Sequence, residues 1–247
     1  MNNTLLIQQR FQAALAHYDE HALAQQRIAQ RLLELLPARD YARVLELGCG
    51  SGGFTRLLYR HIGVAEWYVN DLNQESNTAL QTLFRQPYTF LTGDAAQIAF
   101  PENCDLICAA SCLQWIGDMP ALLAKISAAL QPNGIVLFNT FTADNLHEIK
   151  TLTGQGLHYP SRQTWQKWYA PHFTLHACHD EKIVLSFDDA RDVLRHLQKT
   201  GVTAAGEYRW TRGKLAAFER DYRARFHHNG QFSLTYTPRY FVLEKRG

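Results

Sequence analysis

The sequence predicts an α/β fold: a doubly wound, mostly parallel sheet with an inserted helical cap and an antiparallel final strand. Three observations carry this. Five strand-like apolar runs alternate with helix-like segments over residues 43–140. The first run opens onto a glycine-rich turn followed at once by a helix. Beyond residue 141 the alternation stops, and amphipathic helices with a closing strand take over.

Taken in order, residues 5–36 read as helix in two pieces. Phe11, Leu15, Ile28, Leu32 and Leu35 fall at apolar positions, and Pro37 closes the run. Residues 43–47 form a short buried strand, and Phe54, Leu57, Leu58 and Ile62 then follow at helical spacing. Further strands are expected at 66–71, 89–92, 105–109 and 135–140, with helices at 73–85 and 119–130; Pro132-Asn133-Gly134 ends the second helix. In such a sheet the ligand crevice lies outside the carboxyl ends of the strands, where Gly48, Asp71, Asp94 and Ala110 all fall. Past 141, residues 142–160 read as loop with one helical turn and 161–169 as a short aromatic helix. Residues 175–185 read as a strand, 188–199 and 211–227 as amphipathic helices, and 232–245 as the final strand. One domain, 1–247, is expected, with residues 1–36 covering the crevice and 142–229 forming the cap.

Composition is that of a globular chain: 247 residues, 46% hydrophobic and 19% charged, which excludes the disordered and fibrous classes. No apolar run approaches a membrane span, and the first ten residues lack both a basic leader and a secretory apolar core, so a cytoplasmic location is expected. Five cysteines without paired spacing suit reduced thiols; Cys104, Cys108 and Cys112 read as small core residues, with no metal expected. The net charge of +2 hides an asymmetry. Residues 1–150 carry 10 Lys/Arg against 14 Asp/Glu, a net of −4, whereas residues 151–247 carry 15 against 9, a net of +6. Nine of the basic residues lie between Arg191 and Arg225, which suits an anionic partner or simply a solvated helix surface. A basic stripe with interleaved aromatics is missing, so nucleic acid is not expected.

The chemistry centres on Val44-Leu45-Glu46-Leu47-Gly48-Cys49-Gly50-Ser51-Gly52-Gly53. A turn this tight needs residues that tolerate unusual backbone angles and bring no Cβ against a ligand. Free amides of the turn and of the first helical residues are expected to face outward. Gly48, Gly50 and Gly53 spell G-x-G-x-x-G, and Asp71 stands near the distance at which a dinucleotide site places its ribose acid. Glu46 favours a different ligand, because an acid there attracts a cationic amino-acid head group and repels a pyrophosphate. Asp71, at the end of its strand, can accept ribose hydroxyls. Asp94 can accept an adenine amino group while the amide of Ala95 meets a ring nitrogen. Tyr18 offers an aromatic body and a hydroxyl, fit to cover a nucleoside or simply to pack in a core.

The run Leu45-Glu46-Leu47-Gly48-Cys49-Gly50-Ser51-Gly52 resembles the first motif of class I S-adenosylmethionine-dependent methyltransferases, a Rossmann-like fold. Several further pieces narrow the likeness. They are Phe11, Ala14, Tyr18, Asp19, Ala22 and Gln25 in the first helices, Leu113-Gln114-Trp115, the segment from His196-Leu197 to Lys199-Thr200-Gly201, and Leu234-Thr235-Tyr236. Together they are similar to the malonyl-acyl-carrier-protein O-methyltransferases of early biotin synthesis. Ala110, where relatives often carry a polar residue, and Thr237-Pro238-Arg239-Tyr240 depart from that pattern.

The resemblance implies methyl transfer from S-adenosylmethionine to the free carboxylate of a malonyl thioester on an acidic acyl carrier protein. It implies a cofactor site made by Tyr18, Glu46, Gly48, Cys49, Gly50, Asp71, Leu72, Asp94, Ala95 and Ala110. Gln114, Trp115, Lys199 and Arg239 are the expected substrate contacts, with a cation holding the carboxylate, and Arg191, Arg195 and Arg223 the docking residues. No side chain is assigned as acid or base, since a carboxylate is already ionised at neutral pH. Three other readings stay open. They are a small-molecule carboxylate methyltransferase of the trans-aconitate kind, a nicotinamide oxidoreductase, and a cofactor-binding protein without turnover.

Overall fold

The computed structural model describes residues 4–15, 17–202 and 210–247. Residues 1–3 and 16 of the expected covering segment and residues 203–209 of the expected cap lie outside the described residues.

Three helices come first: α1 (Thr4–Leu15), α2 (Tyr18–His21) and α3 (Leu23–Leu35). Ala24, Ile28, Ala29 and Leu32 form one buried face of α3, the spacing that lets a helix lie on a sheet. Strand and helix then alternate: β1 (Arg43–Leu47), α4 (Gly53–His61), β2 (Glu66–Asp71), α5 (Ser76–Leu83), β3 (Tyr88–Thr92), β4 (Cys104–Ala109), α6 (Met119–Ala129) and β5 (Leu130–Phe141). The remainder is α7 (His147–Thr153), α8 (Arg162–Tyr169), β6 (Phe173–Asp180), β7 (Ile183–Phe187), α9 (Ala190–Lys199), α10 (Arg212–Phe226), β8 (His227–His228), β9 (Gln231–Tyr236) and β10 (Pro238–Lys245).

Seven strands form the main sheet in the order β3-β2-β1-β4-β5-β10-β6. All pairs from β3 to β5 are parallel, and β10 is antiparallel to both its neighbours. The order reverses between β1 and β4, so the crevice opens beside their carboxyl ends. Side-chain alternation divides the core into two layers. Val44, Leu106 and Cys108 join Ile28, Leu32 and Phe54 on one face, while Leu45, Leu47 and Ile107 join Leu123, Ile126 and Trp165 on the other. Helix starts are fixed by short polar caps: the side chains of Asp118, Ser161, Asp189 and Thr211 accept from the first-turn amides of α6, α8, α9 and α10.

Two expected strands are each two strands. Residues 175–185 are the end of β6 and the start of β7, and 232–245 are β9 and β10. In both cases the chain turns a corner and changes sheet. β6 and β10 join the main sheet, while β7, β9 and β8 form a small antiparallel sheet of their own. Residues 142–229, expected as a cap, are in part built into the main sheet. Trp165 of α8 and Phe173 of β6 are buried in the main-sheet core with Phe241, so these two elements belong to the sheet layers. Residues 142–160 also hold a full helix, α7, anchored by buried Glu148, whose oxygens accept from Thr235 N at 3.1 Å and Thr235 Oγ1 at 2.6 Å.

Candidate active site

The glycine turn after β1 is held from within. Gly48 N and Cys49 N both donate to Asn70 O, at 2.9 and 3.0 Å, Gly50 N donates to Asp71 Oδ2 at 2.8 Å, and Gly52 N to Cys49 O at 2.9 Å. Four of the turn amides expected to face outward are therefore spent on β2 and on the turn itself. Arg56 N is bonded to Gly52 O, which leaves the first amides of α4 as the unspent end of that helix. Gly48 is required for space as well as angle. Its φ is +69°, and a Cβ there would stand 2.4 Å from Cys112 Sγ.

A cavity of 510 Å³ lies over this turn, lined among others by Tyr18, Glu46, Gly48, Cys49, Gly50, Asp71, Leu72, Asp94, Ala95 and Ala110. All ten residues expected at a cofactor site are thus brought together. Glu46 is 1% exposed, and its Oε2 has no hydrogen-bond partner. Burial pushes its carboxyl up from 4.5 to about 7, with nearby Asp71 adding to the rise. Asp71 is raised as well, chiefly by burial, although Asn73 N (2.8 Å) and Gly50 N donate to it. Asp94 Oδ1 accepts from Ala96 N at 2.9 Å, and the Lys125 ammonium holds Ala95 O at 2.9 Å.

A second cavity, of 1010 Å³, adjoins the first. Phe11, Tyr18, Gln25, Ser111 and Trp115 line both, so they form a shared wall. Phe11 meets Trp115 edge to face, with ring centroids 5.5 Å apart. Beyond the wall stand Arg10, Gln114, Asn145, Tyr159, Arg191, Arg195, Trp210 and Tyr236, drawn from segments far apart in the chain. Asn145 Nδ2 donates to Tyr159 Oη at 3.0 Å, and His196 Nε2 lies 2.9 Å from Tyr236 Oη. Burial holds the His196 imidazole down to about 4, so it is neutral. The hydroxyls of Tyr18 and Tyr236 are pushed up by burial and stay protonated.

Unsatisfied polar atoms gather at these cavities. Among the described residues, Glu46 Oε2, Asn73 Oδ1 and Ser76 Oγ belong to lining residues of the first, Gln114 Oε1 of the second, and Gln25 Oε1 and Ser111 Oγ of both. A folded interior seldom leaves such groups unpaired, and a polar ligand would complete them.

The expected cations are rearranged. Lys199 and Arg239 line neither cavity. Lys199 Nζ lies 2.9 Å from His21 Nε2, and Arg239 binds Asp180 through two bonds of 2.7 Å across the β10–β6 pair. Arg191 and Arg195 do line the second cavity, each paired with an acid, Glu219 and Asp192 respectively. Arg223 lies over the Phe232 ring, 5.2 Å from its centroid, outside both cavities. Arg10, Ser111, Asn145 and Tyr159 received no site role from the sequence, for no local motif links them, and Gln25 and Tyr236 entered only as motif positions. Arg239→Ala is expected to lower stability by about 2 kcal/mol, since Asp180 is partly exposed, and to leave KM unchanged. Thermal unfolding and steady-state kinetics check it.

A methyltransferase-domain family matches residues 16–205. The malonyl-[acyl-carrier protein] O-methyltransferase of Porphyromonas gingivalis is 43% identical over 245 residues, covering 97% of this chain and 95% of its own length. Its counterpart in Haemophilus influenzae is 41% identical over 241 residues, covering 96% and 92%. This chain belongs to the malonyl-[acyl-carrier protein] O-methyltransferase family. Among solved structures, the N-methyltransferase NodS of Bradyrhizobium japonicum, in complex with S-adenosyl-L-homocysteine, superposes with a TM-score of 0.59. That likeness covers 98% of this chain and 99% of NodS at 18% identity, and it shows the fold alone. Family and sheet order establish the class I methyltransferase fold and S-adenosylmethionine as the cofactor of this methyltransferase, and the nicotinamide reading falls away. Among the described residues no helix is long and apolar enough to cross a membrane.

Proposed function

We propose that the chain transfers the methyl group of S-adenosylmethionine to the free carboxylate of a malonyl thioester on acyl carrier protein, giving the methyl ester that primes pimeloyl assembly for biotin. The observation that carries this reading is the shared wall: a cavity holding a buried acid with one unpaired oxygen adjoins a larger one with arginines in its lining. When bound, S-adenosylmethionine supplies an electrophilic methyl group on a sulfonium. Glu46 would face its cationic amino-acid end, Asp71 its ribose, and Asp94 with the Ala95 amide its adenine. The fit rests on Glu46, whose buried Oε2 lacks any partner in the protein.

The chain's own part is to orient and to exclude water. The malonyl carboxylate arrives ionised, so no base is needed, and the tyrosine hydroxyls and neutral His196 near the wall are not poised to act as one. Phe11, Tyr18 and Trp115 displace water from the junction, which strengthens the nucleophile and fixes its approach. A cavity of 1010 Å³ is far larger than a malonyl group, so it would also take part of the thioester arm. Arg191 and Arg195, now in the lining, are our candidates for the anionic end of that arm, and the net charge of +6 over residues 151–247 suits an acidic carrier protein. We assign no nucleic-acid partner.

Mass spectrometry of the carrier protein tests the reading: S-adenosylmethionine should add one methyl to malonyl-acyl carrier protein. Transfer to free trans-aconitate, with none to the carrier-bound substrate, would favour the small-molecule alternative. Arg195→Glu is expected to raise KM for malonyl-acyl carrier protein by about 10-fold, whereas Arg223→Glu, outside the cavity, matches wild type. Equal effects of the two substitutions would remove the cavity arginine from the substrate path.

A further inference from the structure

We infer that the Ser111 hydroxyl donates a hydrogen bond to the acceptor carboxylate at the wall the two cavities share. The inference rests on the function proposed above and adds a substrate contact to it. Ser111 follows β4 with φ +53°, in the left-handed region that side-chain-bearing residues seldom adopt. That conformation is clamped from two sides. Ser111 N donates to Asn139 Oδ1 at 2.7 Å, and Asn139 is fully buried on β5. Gln114 Nε2 donates to Ser111 O at 2.6 Å.

The backbone is thus held at a cost, yet the side chain it presents has no use inside the protein. Ser111 lines both cavities, and its Oγ is buried with no hydrogen-bond partner. A buried hydroxyl left unpaired is unfavourable, and a strained residue persists only where its surroundings enforce it. Asn139 and Gln114 enforce it while spending their bonds on the backbone alone, so the hydroxyl is left over for a ligand.

A carboxylate is the matching group, because it can only accept and a hydroxyl can donate. A neutral donor also suits the reaction. It ties down one carboxylate oxygen and leaves the other to attack, without the charge neutralisation a cation at the same place would impose.

Two substitutions separate the hydroxyl from the backbone. Ser111→Ala removes the hydroxyl and keeps the strain; Ser111→Gly removes it and relieves the strain, since glycine adopts this φ freely. Four quantities are measured: kcat/KM, the Kd of malonyl-acyl carrier protein in the presence of S-adenosylhomocysteine, the Kd of S-adenosylhomocysteine alone, and Tm. Both variants are expected to lose about 10- to 100-fold in kcat/KM and to bind malonyl-acyl carrier protein more weakly. S-adenosylhomocysteine affinity should stay within about twofold, and Ser111→Gly should unfold at or above the wild-type temperature. Wild-type kcat/KM in Ser111→Gly overturns the inference, as does a loss that falls on S-adenosylhomocysteine affinity instead. Failure of the wild-type enzyme to methylate malonyl-acyl carrier protein overturns the proposed function, and this inference with it.

Discussion

Glu46→Gln is expected to weaken S-adenosylmethionine binding by about 100-fold while making the ligand-free protein more stable at pH 8, by on the order of 3 kcal/mol. The two effects have one cause. Glu46 is 1% exposed, and burial lifts its carboxyl from 4.5 to about 7. Between those values the folded chain binds more protons than the unfolded chain, so stability falls as pH rises through the window. Above about pH 7 the whole cost of burying the charge is present. Glutamine has no such dependence. Its stability curve should run parallel to that of wild type below about pH 4.5, diverge up to about 7, and keep a constant gap beyond. A cationic ligand reverses the balance, because it stabilises the ionised carboxylate and expels the proton. Wild-type affinity for S-adenosylhomocysteine, whose ammonium group survives, should therefore fall as pH drops below 7, with proton release at pH 6 seen as a buffer-dependent calorimetric enthalpy. Thermal unfolding from pH 4 to 8 supplies the other half. A Glu46→Gln protein no more stable than wild type at pH 8 would show that the acid carries no burial cost.

Gly48→Ala is expected to cost about 3 kcal/mol of stability and most of the cofactor affinity. Two penalties coincide at this position. The φ of +69° strains any side-chain-bearing residue, and the new Cβ would lie 2.4 Å from Cys112 Sγ and 2.8 Å from Cys112 Cβ. Cys112 belongs to the segment after β4 that carries Ser111, so relief of the clash displaces the shared wall. Gly50→Ala gives the contrast: φ is +54°, but nothing lies within 4 Å of its added Cβ, so only the conformational cost of about 1 kcal/mol applies. Urea unfolding of Gly48→Ala with and without Cys112→Ala apportions the terms. Removing the sulfur should restore about 1 kcal/mol. Equal losses in the Gly48 and Gly50 variants would mean that the backbone angle alone matters.

How much of this was legible in the sequence varied with the range of the interactions. β1 and β2 match their expected bounds, because a buried run next to a turn is a local signal. The helix caps are local too, and the expected starts at 161, 188 and 211 fall within two residues of α8, α9 and α10. The corners at 181–182 and at Thr237 are marked only by the polar run His179 to Lys182 and by Pro238, neither of which says that the chain changes sheet. The pairing partners reveal that β6 and β10 serve one sheet while β7 and β9 serve another. The Arg239–Asp180 pair depends on the same register, which is why Arg239 looked available from sequence. Nine of the ten residues expected at a cofactor site lie at the carboxyl ends of β1 to β4, which the strand–helix alternation places side by side. The second cavity draws on α1, the β4–α6 segment, α7, α9 and β9, and proximity of that kind is a product of the fold.

Phe11 belongs to the linings of both cavities, packs on Trp115, and sits against Gly201, where an added Cβ would meet its ring at 2.9 Å. One ring thus borders both cavities. Under the function proposed above, any coupling carried by that ring is reciprocal, so the two compounds would change each other's affinity by the same factor.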